Sequence, residues 1–386
     1  MTAAARPPVR PIRSALSVFS LAVVVFTFAL AGPRAALLML IGLGFGLVLE
    51  GLRFGFTGPW RRMIQVRDGR GLLAQFMAIG LCALIAFPLL AASPDELYGA
   101  HAPVGIAMLG AAFVFGATMQ IVLGCGSGVL VNAGSGNLMA LLALLGFIAG
   151  SFLGTLHLEW WTGLGSLPVY TLQGSFGERA GLWVTLAGLT GLAALVVRLS
   201  TPGQRLPSPR LLLAASLVAA LAILNLVVAG QSWGIVYGLG LWGAKAGQAA
   251  GMDVLANTFW LAPDHAERLQ QSLLTDVTSL TNIGIIIGAF VAMRWRRDPG
   301  PQVPRGSAPG RLGILLSGVI LGYSARIAFG CNVGAYFSGI ATGSFHGWVW
   351  FAAAFAGSAL ALQARPRVLQ WLSLSAAATP GGRVRT

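Results

Sequence analysis

Apolar runs of helix length recur from one end of this chain to the other, and no other feature constrains its fold as strongly. Cut at its charged and Pro-rich segments, the sequence leaves runs near 15–32, 35–51, 71–92, 104–123, 137–156, 180–197, 211–229, 232–250, 272–293, 312–330 and 345–364. Each spans roughly 17 to 23 residues, the length at which a helix crosses about 30 Å of hydrocarbon. With 56% of 386 residues hydrophobic and only 9% charged, the chain lacks the polar side chains to cover a water-facing surface. The expected fold class is an all-α polytopic membrane protein.

The formal net charge of +14 loses its suggestion of nucleic acid once the charges are located. Nineteen of the 24 arginines fall in segments 1–14, 61–70, 198–210, 294–311 and 365–386, whereas the segment from Pro94 to Gly105 carries Asp95 and Glu96. This is the positive-inside bias, and it puts the arginine segments and both termini on the cytoplasmic side of a multi-pass membrane protein. The basic start, the apolar run after it and Ala29-Leu30-Ala31 imitate a signal peptide. Pro33 and a second apolar run follow at once, so 1–34 reads as a cytoplasmic tail and a retained first helix.

The chain also repeats itself. At an offset of 206, Gly116 aligns with Gly322, Ile121 with Ile327, Gly124 with Gly330, Cys125 with Cys331 and Gly128 with Gly334. After one inserted residue, Ala149-Gly150-Ser151 falls on Ala356-Gly357-Ser358. At an offset of 192, Gly46 to Gly55 aligns with Gly238 to Gly247 and sets Arg53 against Lys245. Two homologous repeats follow, 35–200 and 211–364, joined by a cytoplasmic link at 201–210 and trailed by a cytoplasmic tail at 365–386. Keeping 294–311 inside requires an odd number of crossings between equivalent points. The repeats are therefore expected to be inverted, with 232–250 re-entrant and about ten transmembrane helices in all.

Each half holds broken segments. Five glycines in the thirteen residues from Gly124 to Gly136 oppose a continuous helix, and 51–59 is similarly glycine-rich. Irregular backbone at membrane depth must be buried in protein or line a watery cavity, so short re-entrant or broken helices are expected to meet near the midplane.

Cys125 and Cys331 sit at the matched breaks, flanked by Gly124, Gly126, Ser127 and Gly128 in one copy and by Gly330, Asn332 and Gly334 in the other. A free cysteine is often a small buried hydrophobe, and Cys82, inside 71–92, reads that way. The matched pair lies instead beside helix ends whose free N–H groups attract anions. Lys245 is the only lysine, Arg326 lies five residues before Cys331, and Arg53 lies in the first arm. Cations at membrane depth usually face an interior or aqueous pathway, or snorkel to the interface; Glu50, Asp253 and Asp276 are available to neutralise them. The four histidines lack metal-ligand spacing and no HExxH, CxxC, P-loop or GxSxG motif occurs, so neither a cofactor nor enzymatic catalysis is expected. Broken segments carrying cations and thiols describe a permeation or carrier site for a small anion, and the thiols favour a soft, sulfur-like atom.

The repeated G-C-x-x-G segments, the arm LEGLRFGFTGPWRR, its partner WGAKAGQ and the stretch ARIAFGCNVGAYFSGIATGS together resemble the YeeE/YedE family of sulfur-compound transporters. The resemblance covers nearly the whole chain. It implies an inner-membrane transporter for thiosulfate or a related sulfur or selenium anion, with Cys125 and Cys331 as pathway cysteines making S–H contacts to the terminal sulfur. It also implies a TusA-like sulfur carrier as a cytoplasmic partner. Where the family's first arm often reads R-F-C-F, this chain has Gly55. Two alternatives stay open at this point: a sulfurtransferase-like relay using Cys125 and Cys331 covalently, and a channel for a neutral sulfur compound such as hydrogen sulfide.

Overall fold

A computed structural model of the chain describes residues 9–122, 124–296 and 307–371. The ends of both terminal tails, 1–8 and 372–386, and most of the arginine-rich segment 294–311 lie outside the described residues. In the first half the helices are α1 (Val9–Gly51), α2 (Thr57–Val66), α3 (Arg70–Ala92), α4 (Ile106–Val122), α5 (Gly126–Gly134), α6 (Leu138–Leu156), the short α7 (Leu158–Thr162) and α8 (Leu172–Phe176), and α9 (Glu178–Leu199). The second half has α10 (Pro209–Ala229), α11 (Val236–Ala249), the short α12 (Thr258–Leu261) and α13 (Pro263–Gln270), α14 (Val277–Arg296) and α15 (Ala308–Ile327). A π-helix (Asn332–Ser338), α16 (Gly339–Ala341) and α17 (Phe345–Trp371) complete it.

Among the described residues, nine helical stretches are long and apolar enough to cross a membrane. The first of them crosses twice. Gly32 has a non-helical backbone (φ 83°, ψ −178°) with Pro33 after it, and the two arms run along α14 in opposite senses. On the outgoing arm Arg13 lies over Trp295 and Phe19 meets Phe290. On the returning arm Gly42 packs on Thr281 and Gly284, and Glu50 pairs with Arg296. With α1 divided at Gly32, the described residues hold ten helical arms of crossing length. By contrast α11, with 14 residues, is about 21 Å long, too short to cross. Leu21, Phe26, Trp183, Leu224, Leu316 and Leu360 are more than half exposed, an outward apolar surface of the kind a membrane-spanning bundle presents to lipid.

Glycines set how closely the helices approach. A Cβ on Gly42 or Gly46 of α1 would strike α14 backbone, and one on Gly284 or Gly288 would strike α1, the small-residue contact by which membrane helices associate. The repeat-matched glycines do the same work reciprocally. Gly116 of α4 packs on Ala354 of α17 and Gly357 of α17 packs on Phe113, while Gly322 of α15 packs on Phe147 of α6 and Gly150 of α6 packs on Val319. The end carrying Arg61, Arg62, Arg70, Arg210 and Arg296 defines one face of the molecule. Toward it runs α4, whose Gln120 carbonyl accepts from Arg365; away from it runs α15, whose Tyr323 meets His157 and Trp161 at the opposite face.

Candidate functional site

Cys125 caps the N-terminus of α5 with φ −82° and ψ −169°, and Cys331 caps the π-helix with φ −106° and ψ −169°. Both are buried. The chain breaks before Cys331 through Phe329 at φ 57° and Gly330 at φ 152°, a conformation an L side chain rarely adopts. The two segments abut: a Cβ on Gly126 would lie 3.0 Å from the Cys331 sulfur and 3.4 Å from Ile235. Cys331 Sγ is met by the backbone N–H groups of Gly334, Val333 and Gly126, and Cys125 Sγ lies 3.3 Å from the Ser127 hydroxyl. Helix N-terminal donors therefore converge on the thiols. The π-helix is itself a rare form, frequent at functional sites.

Two cavities approach this pair from opposite faces. The larger, about 910 Å³, opens at the arginine face between the first arm and α5; Arg53, Gly124, Ser127 and Gly128 line it, as do Arg61, Arg62, Arg70 and Arg210. Its two carboxylates are paired with arginines, in part those of the cavity itself. Glu50 pairs with Arg296, and Asp68 accepts Arg62 at 2.6 Å and Arg70 at 2.9 Å. Hydrogen bonding from Arg70 holds the Asp68 carboxyl below the usual range despite its burial. The smaller cavity, about 350 Å³, opens at the opposite face and is lined by Arg326, Gly330, Gly334 and the second arm, residues 231–237.

An aromatic wall separates the cavities. Trp233 stacks on Phe45 with ring centroids 3.8 Å apart, and Phe337 meets Trp233 at 5.8 Å and Phe56 at 6.1 Å. Phe56 comes from the first arm, Trp233 from the second and Phe337 from the π-helix. Gln75 ties the wall together: it accepts from Trp60 at 3.0 Å and from the Tyr336 hydroxyl at 3.3 Å, and donates to the Gly55 carbonyl at 2.9 Å. Gln75 and the wall aromatics lie at the candidate site and are absent from the residues expected from the sequence. A glutamine alone in the apolar run 71–92 was a usable signal.

The structure brings Cys125, Gly126 and Cys331 together with Asn332 between the cavities, Gly124, Ser127, Gly128 and Arg53 on one side, and Gly330, Gly334 and Arg326 on the other. The Arg326 guanidinium lies 5.8 Å from the Tyr237 ring and 5.3 Å from Phe259, with one N–H on the Val236 carbonyl at 3.3 Å. Lys245 lines neither cavity. Its ammonium donates to the carbonyls of Leu269 and Gln271, each at 2.6 Å, and so caps the end of α13. Cys82 is buried within α3.

Comparison with known proteins adds a family to this geometry. The family described as Sulphur transport matches residues 52–360. The probable transporter YedE of Escherichia coli is 29% identical over 139 residues, which is 34% of this chain and 31% of that protein; the chain spans about a third of the length of this relative. The thiosulfate transporter TsuA of Spirochaeta thermophila is 24% identical over 340 residues, covering 81% of this chain and 93% of the relative. Its Escherichia coli counterpart is 25% identical over 338 residues, covering 81% and 89%.

Proposed function

This chain belongs to the sulphur transport family, and from that premise we propose that it takes up thiosulfate or a related small sulfur-containing anion across the inner membrane. The observation that carries the reading is the placement of Cys125 and Cys331 against each other, each at a helix N-terminus, between cavities reaching in from opposite faces. Helix N-termini suit an anion, and thiols suit its soft sulfur. Arg326 offsets charge in the smaller cavity and Arg53 in the larger. The arginine face is cytoplasmic by the positive-inside bias, with both termini there, and a TusA-like carrier would receive sulfur at that face. The opposite senses of α4 and α15 support inverted repeats. The protein acts as a transporter rather than an enzyme.

Uptake of labelled thiosulfate into cells lacking other sulfur sources tests this directly. Uptake above background is expected for the wild type, and full uptake by the Cys125→Ala/Cys331→Ala double variant would sink the cysteine assignment. The contact across Gly126 also favours a second reading, a covalent relay. There a cysteine thiolate attacks the terminal sulfur of thiosulfate, sulfite leaves with the S–S bonding pair, and a persulfide remains. Intact mass decides between them: protection of the thiols from a small charged alkylating reagent without a mass gain supports the carrier. A reductant-sensitive gain of about one sulfur atom supports the relay.

A further inference from the structure

Two buried hydrogen-bonding groups beside the cysteine pair have no partner. Among the described residues, Trp233 is 1% exposed and its indole Nε1 has no hydrogen-bond partner, and Asn332 is 0% exposed and neither of its amide atoms has one. Such groups are rare because burial strips them of water, and each calls for an explanation. Gln120 and Trp350 are also unpartnered, but they belong to α4 and α17, not to the segments that carry or touch the cysteines. Asn332 follows Cys331 directly, and one turn of the i→i+5 π-helix brings it level with Phe337, whose ring meets Trp233. Trp233 stands two residues before Ile235, which packs beside Gly126 and the Cys331 sulfur.

Trp233 is also held in place. Its ring is stacked on Phe45 and edged by Phe56 and Phe337, and its carbonyl accepts from the Ser338 hydroxyl at 2.7 Å. An indole can only donate, so its free N–H is satisfied by an acceptor or by nothing. The free Cys331 thiol, against which Gly126 packs, provides for the soft end of an anion. A sulfur anion of the proposed kind has a second, oxygen-bearing end that arrives hydrated and needs donors in exchange.

We propose that Trp233 and Asn332 form the oxyanion end of this site: the indole N–H and the amide donate to the oxygens of an X–SO3 anion whose terminal sulfur lies against Cys331. The inference rests on the transport reading above and narrows it to one ligand class, a tetrahedral oxyanion bearing a single soft sulfur. Hydrosulfide, which has the soft sulfur alone, gains nothing from these two side chains.

The test is calorimetric titration of the full-length protein in lipid nanodiscs with thiosulfate and, separately, with hydrosulfide. Trp233→Phe keeps the stacked ring and removes the donor; Asn332→Leu keeps the shape; Asn332→Asp replaces a donor with a negative acceptor. Trp233→Phe and Asn332→Leu are each expected to weaken thiosulfate about tenfold, as loss of a hydrogen bond to a charged group does. Asn332→Asp should weaken it further, and hydrosulfide affinity should stay within about twofold in all three. Unchanged thiosulfate binding would overturn the oxyanion assignment and leave the transport reading intact. Parallel loss of both ligands would also overturn it, by assigning the residues a structural role. A wild type that binds neither ligand would remove the transport reading and this one with it.

Discussion

The two cysteine segments start alike and end differently. Cys125 and Cys331 share ψ −169° as the N-caps of their helices, yet Gly126-Ser127-Gly128 opens the regular α5, whereas Asn332-Val333-Gly334 opens a π-helix filled by Tyr336 and Phe337, both 0% exposed. Small side chains after Cys125 leave room for the cavity of about 910 Å³ at the arginine face. Aromatic ones after Cys331 build the wall that confines the other to about 350 Å³. Repeated glycines and cysteines determine where the chain breaks, and the residues between them determine which side stands open. In shape the first copy borders the wide cavity and the second builds the wall.

The sharpest way to break that comparison is to remove each sulfur. Cys331→Ala should lower thiosulfate uptake by more than about tenfold at unchanged protein level, because three backbone N–H groups then face a methyl group. Cys125→Ala, whose sulfur contacts the Ser127 hydroxyl, should also reduce uptake sharply but leave a measurable residue, and Cys82→Ala should match the wild type. Equal losses at Cys125 and Cys331 would erase the distinction. The glycines give the next largest effect. Gly330 adopts φ 152° and a Cβ there would lie 2.7 Å from the Ala335 nitrogen, so Gly330→Ala should cost about 1–3 kcal/mol. Gly124 has an ordinary φ and its nearest such contact is 3.0 Å, so Gly124→Ala should shift the melting temperature less. Thermal melts of the two variants in detergent check the order.

The contrast also shows what could be read in advance. The crossings were legible because length and apolarity alone define them, and Gly32-Pro33 separated the first two. Residues 232–250 are as apolar as their neighbours; only the need to keep 294–311 on the arginine side marked them as re-entrant, and the 14-residue α11 agrees. The meeting of Cys125 with Cys331 was foreshadowed by the offset of 206. The wall was not. Phe56, Trp233 and Phe337 sit in apolar surroundings where an aromatic residue looks the same facing lipid, core or septum. The partners of Lys245, the carbonyls of Leu269 and Gln271, come from the end of an irregular excursion that no periodicity announces.

The two arms sharpen the comparison through their cations. Arg53 lines the larger cavity and Lys245 lines neither, although the sequence aligns them. Arg53→Gln should lower uptake several-fold with little change in melting temperature, because a cation that offsets an anion's lost hydration acts on binding. Lys245→Gln should act mainly on stability, by about 1 kcal/mol after allowance for its partial exposure, since it loses two charge-assisted bonds to carbonyls. Uptake normalised to folded protein separates the two. A selective uptake defect in Lys245→Gln would return it to the pathway.

The smallest expected effect compares the two faces through acid. At the arginine face, Asp68 has its pKa lowered first by hydrogen bonding from Arg70. At the opposite face, His265 has its pKa lowered first by burial, while Arg326, Arg268 and Asp264 bear on it and the Phe259 carbonyl lies 2.7 Å from its Nδ1. Both folded-state values lie below the unfolded ones, so in both cases the unfolded chain binds more protons and stability rises with pH, to be lost as the solution is acidified. The windows differ. The His265 contribution is complete above its unfolded pKa of about 6.5 and is lost as pH falls toward its lower folded value; the Asp68 contribution is complete above about 3.9 and is lost only in stronger acid. Mild acid should therefore loosen the segment of α12 and α13 that carries His265 while the arginine face holds. Melting temperatures recorded at about pH 7.5 and 5.5 should show a drop that His265→Gln reduces and Asp68→Asn leaves unchanged. A drop of the same size in His265→Gln and the wild type would assign the mild-acid response to another group.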